Sequence, residues 1–63
     1  MALHFTPNDL RLGALYRIAR DRRMDGETIR SLMVSRCGLS EKSAAQLTPH
    51  WLGSFKSHWK LAA

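Results

Sequence analysis

Ser40, Glu41, Lys42 and Gln46 are four hydrogen-bonding side chains within seven residues of a 63-residue chain. Apolar or small residues, Met33, Cys37, Leu39, Ala44 and Leu47, surround them at the spacing two crossing helices need for contact. The polar four are then left pointing outward on a presented helix, which suits binding. Catalysis has less to work with. The carboxylates Asp9, Asp21, Asp25, Glu27 and Glu41 read as helix caps or surface charges, and no serine, histidine and acid are spaced as a set. His4, Cys37, His50 and His58 include no Cys-x-x-Cys or His-x-x-x-His pair and no acidic neighbour at ligand spacing. Cys37 itself reads as a small core residue at a helix C-terminus, where the dipole disfavours a thiolate. The expectation is a binding protein without enzymatic activity, metal or cofactor.

The elements that would position those residues are helices. At Phe5-Thr6-Pro7-Asn8-Asp9-Leu10, Thr6 can cap a helix, Pro7 suits its first position and Asp9 can reach back to the cap, with Phe5 and Leu10 as a hydrophobic staple. The helix from about residue 7 to 23 then buries Leu12, Leu15, Tyr16 and Ala19, with Ile18 at the border. Asp25-Gly26 turns the chain into a second helix, residues 27 to about 37, with Ile29, Leu32, Met33 and Cys37 inward. Gly38 stops it in the left-handed conformation. Ser40 caps a third helix from 41 to about 47, with Glu41 at its positive end.

The Thr-Pro grammar returns at Leu47-Thr48-Pro49-His50-Trp51-Leu52 and predicts a fourth helix, residues 49 to about 61. On it Leu52, Phe55 and Trp59 follow one stripe with Trp51 beside them. These aromatics complete the core or, through Trp51, Phe55 or Trp59, anchor a partner or dimer surface. The expected fold is all-α: a compact bundle of four short helices forming one domain over residues 1–63.

Ten Lys and Arg against five Asp and Glu give a formal charge of +5, which favours a polyanionic or acidic partner. Some of that charge has a local reason, since Arg20, Arg22 and Arg23 close the first helix at the negative end of its dipole. A chain of this length buries only roughly 60% of its unfolded surface, so homodimerisation is the expected supplement. The lone Cys37 cannot form an internal disulfide and points to a reducing, cytoplasmic setting. The apolar runs fall far short of the roughly 20 residues that span a bilayer, and the N-terminal stretch lacks the pattern of a targeting segment.

The segment Arg30 to Pro49, RSLMVSRCGLSEKSAAQLTP, resembles the helix-turn-helix of bacterial and phage transcriptional regulators, with Val34 where that family prefers Ala or Gly. In the family the second helix of the pair enters the major groove of double-stranded DNA. The resemblance implies that Ser40, Glu41, Lys42 and Gln46 read base edges: Lys42 donating to guanine, Gln46 pairing with adenine, Glu41 accepting from cytosine. Arg30, Arg36 and the Arg20, Arg22, Arg23 cluster would then meet phosphates. The alternative is a small adaptor or inhibitor of phage or plasmid type, binding an acidic protein partner through a basic and aromatic surface. The tail Leu61-Ala62-Ala63 also resembles the end of the bacterial tag that directs proteolysis.

Overall fold

The computed structural model describes residues 5–62, and these fold into three helices: α1 (Pro7–Asp21), α2 (Gly26–Cys37) and α3 (Glu41–Ala62). No strand occurs among the described residues. His4 and Ala63 lie outside them.

The start of α1 follows from local chemistry. The Thr6 hydroxyl accepts the Asp9 N–H at 3.1 Å, and the Asp9 carboxylate accepts the Thr6 N–H at 3.0 Å. Each side chain satisfies a backbone N–H that the first turn leaves without a ladder partner. Phe5 and Leu10, expected as a staple, line one hollow on the surface but stay 63% and 64% exposed. The helix stops with the Met24 N–H on the Ala19 carbonyl at 2.9 Å and the Arg23 N–H reaching the Arg20 carbonyl at 3.4 Å. This closure places Arg23 at φ 51°, a left-handed conformation normally left to glycine.

Asp25 caps α2 by accepting the Thr28 N–H at 3.3 Å, so Gly26 is the first helical residue and not part of the turn. It also sits against α3. A methyl group at Gly26 would lie 3.0 Å from Leu52 Cδ1, tight enough that the neighbour would have to give. At the far end Gly38, φ 72°, and Leu39 both turn their N–H groups onto the Met33 carbonyl. Three residues later the chain is helical again, with the Ser40 hydroxyl accepting the Ser43 N–H at 3.1 Å.

The expected boundary at Thr48-Pro49 does not exist. α3 runs unbroken from Glu41 to Ala62 with Pro49 inside it, which makes three helices instead of four. Thr48 is buried, and its hydroxyl donates to the Ala44 carbonyl at 2.7 Å within the same helix. An interior proline removes a ladder hydrogen bond and crowds the preceding turn, at a cost of ~3 kcal/mol. Burial on both sides of Pro49 opposes that cost. Ala44, Thr48, Trp51 and Phe55 are all buried, and their spacing forms one stripe through the proline.

The core gathers Leu15 and Ala19 from α1, Ile29, Met33 and Cys37 from α2, and Ala44, Trp51 and Phe55 from α3. Tyr16 of α1 stands edge-on to Trp51 and Phe55, with ring centroids 5.0 and 4.8 Å away, an arrangement that sets ring edges against ring faces. Its hydroxyl meets Ser54 at 2.8 Å. Near the C-terminal ends the Trp59 indole N–H donates to the Arg20 carbonyl at 2.6 Å, a shorter bond than the 3.4 Å one that the Arg23 N–H makes to the same oxygen.

Candidate nucleic-acid interface on the first turns of α3

The turn at Gly38, Leu39 and Ser40 sets the start of α3, and the buried Ala44 fixes which way that helix faces. Lys42 and Gln46 then project to solvent, one turn apart on the outer side. Because α3 continues through Pro49, His50 extends the same line. It is exposed and borders a shallow hollow with Leu39, Ser43, Gln46 and Leu47. The sequence treats His50 as a residue near a helix start. Only a continuous α3 puts it one turn beyond Gln46.

Ser40 and Glu41 occupy the same end of α3 but are engaged there. The Ser40 hydroxyl accepts the Ser43 N–H and donates to the Ser43 hydroxyl at 3.0 Å. Glu41 accepts from Arg30 of α2 at 2.7 Å, with side chains 73% and 38% exposed. Such an open ion pair contributes at most about 1 kcal/mol, and in it one expected base-reading residue occupies one expected phosphate contact. Lys42 and Gln46 carry no side-chain hydrogen bond or ion pair among the described residues, so their polar groups remain available.

The expected phosphate contacts do not gather in one place. Arg30 stands beside the first turn of α3, while Arg36 borders a groove between α1 and α2 together with Arg11, over a floor that includes Leu15, Ile18 and Leu32. Arg20, Arg22 and Arg23 lie at the other end of the molecule, beside Trp59. At 1.5 Å per residue, Trp59 is roughly 25 Å along α3 from Lys42. Two members of that cluster have structural work: Arg20 pairs with Asp21 at 3.1 Å, and the Arg23 guanidinium stacks 5.5 Å from the Trp59 ring centre. Arg22 is exposed and free of any such partner among the described residues.

Neither a protein-family model, nor a curated protein, nor a solved structure matches the chain. The site therefore rests on its own geometry.

The aromatic candidates are placed by burial. Phe55 is fully buried and Trp51 is 8% exposed, while Trp59 is half-buried between α3 and the end of α1. The first two spend their surface on the core, which leaves Trp59 as the one aromatic of the three with an open edge.

Cys37 is buried, and desolvation raises its thiol pKa above the ordinary value, against a smaller lowering by the Arg11 guanidinium. The neutral thiol is the favoured form, as expected for a core residue. Among the described residues no three His, Cys, Asp or Glu side chains converge as metal ligands would, and no helix is long and apolar enough to cross a membrane.

Proposed function

We propose that this chain is a small DNA-binding protein, a transcriptional regulator that lays the first turns of α3 in the major groove. The observation that carries the reading is the free row Lys42 and Gln46, continued by His50, on the outer side of a helix that begins just after a left-handed glycine turn. Lysine and glutamine are suited to guanine and adenine edges respectively. The +5 charge supplies the nonspecific attraction to phosphates that precedes any reading of sequence. Arg30, beside the first turn of α3, exchanges its open ion pair with Glu41 for a phosphate beside the row, while Arg22 serves a second, distant contact.

The competing reading, an adaptor anchored by the aromatics of α3, is weakened by the burial of Trp51 and Phe55.

The test is fluorescence anisotropy of the full chain against random duplex DNA and against DNA flanking its own gene, over a range of salt. Preference for the flanking DNA that persists at physiological salt is the expected result. Lys42→Ala and Gln46→Ala should reduce that preference, whereas Arg22→Ala should weaken both duplexes alike and lower the salt slope by about 1. Weak binding equal for both duplexes and abolished by modest salt would overturn the proposal.

A further inference from the structure

Of the four large apolar side chains that the described residues leave open, Phe5, Leu10, Ile18 and Leu61, two, Phe5 and Leu10, line one hollow on the outer side of α1. Leu10, Gly13, Ala14 and Arg17 share the face of α1 turned away from buried Leu15 and Ala19. Gly13 opens a notch in that face, walled by Phe5, Asp9, Leu10, Ala14 and Arg17. A side chain added at Gly13 would meet nothing within 4 Å. No neighbour among the described residues therefore requires glycine there, although glycine is, after proline, the residue least suited to a helix interior.

We infer that this face of α1 is a self-association surface, on which α1 of a second copy packs antiparallel with the two Gly13 notches at the crossing. Charge commits the occupant. Most of a protein at +5 repels its own copy, but this face carries Asp9 near one end and Arg17 two turns later. An antiparallel copy sets Arg17 against the partner's Asp9, and two-fold symmetry makes that pair twice. Leu10 then packs between Ala14 of the second copy and the stem of its Arg17, and the absent side chain at Gly13 lets the backbones approach.

The monomer has reason to take such a partner. Its core is eight buried apolar side chains among the described residues, and association with a second copy is the usual supplement for a chain of this size.

Sedimentation equilibrium of the full chain without DNA tests the inference independently of the DNA-binding proposal. The wild type should sediment at twice the 7.2 kDa chain mass in the range of tens to hundreds of micromolar. Gly13→Gln and Arg17→Glu should each weaken the dimer at least tenfold. Lys56→Glu, which makes the same change of net charge on exposed α3, should not weaken it. Gly13→Gln should also raise the melting temperature at dilutions where both proteins are monomers, by about 3–5 °C, because glutamine is the better helix former. Opposite effects on folding and association separate an interface residue from a structural one. A wild type that stays monomeric to millimolar concentration, or a dimer untouched by both α1 substitutions, would overturn the inference.

Discussion

Thr6-Pro7 and Thr48-Pro49 are the same dipeptide with two outcomes. At the first, threonine caps and proline opens α1; at the second, both residues lie inside α3. The difference lies in what surrounds them. Three residues after Thr6 stands Asp9, whose carboxylate returns to the cap; three residues after Thr48 stands Trp51, which cannot accept that bond and is buried instead. Upstream of Thr48 the chain is already helical and buries Ala44, so the threonine hydroxyl turns back to the Ala44 carbonyl. A Thr-Pro pair thus marks a helix start only where a carboxylate completes the cap and no apolar stripe runs through the pair.

The largest expected effect comes from removing what holds α3 together beyond the proline. Phe55→Ala should destabilise the protein by ~3–5 kcal/mol, a large share of what a domain of this size has, and chemical denaturation would measure it. A loss below about 1 kcal/mol would mean that burial does not carry the helix past Pro49.

Next come the two prolines. Pro49→Ala should stabilise the fold by ~1–3 kcal/mol by restoring a ladder hydrogen bond, whereas Pro7→Ala should change stability by less than about 0.5 kcal/mol, since the first helical position needs no N–H partner. Equal effects at the two sites would remove the distinction. The threonines give the smallest contrast. Thr6→Val should cost ~1 kcal/mol through loss of the cap, while Thr48→Val, which keeps the buried shape and gives up a hydroxyl bond to a carbonyl already in the helix ladder, should cost under about 0.5 kcal/mol.

A separate consequence follows from Cys37. Its folded pKa is raised, so stability is full below the ordinary thiol pKa and falls as pH rises past it, where the unfolded chain ionises and the folded one resists. A melting temperature that increases on going to alkaline pH would contradict that burial.

Much of this architecture is legible in the residues alone. The inward positions Leu15, Ala19, Ile29, Met33, Cys37 and Phe55 follow from helical spacing, and the Thr6 cap, the Gly38 stop and the Ser40 cap follow from local hydrogen bonding. The continuity of α3 was not, because proline and threonine argue locally for a boundary and only the buried stripe through them argues against it. That stripe needs Thr48 to count as a core residue, which its hydroxyl disguises. The place of His50 followed the same error.

Tertiary partners were also beyond reach. The Arg30 pairing with Glu41 and the Trp59 bond to the Arg20 carbonyl join residues far apart in sequence, and the second uses a backbone acceptor that every residue possesses. The scatter of the arginines over three places depends on how the helices cross, which charge alone does not encode.

The most direct test of the account is amide chemical-shift mapping of the isotope-labelled chain titrated with duplex DNA at low salt. The account predicts that the largest shifts fall on residues 40–50, with Lys42, Gln46 and His50 at their centre and a smaller set at Arg22. Shifts concentrated around Arg20, Arg23 and Trp59 with residues 40–50 unmoved, or no shifts at all, would contradict the assignment of α3 as the DNA-reading helix.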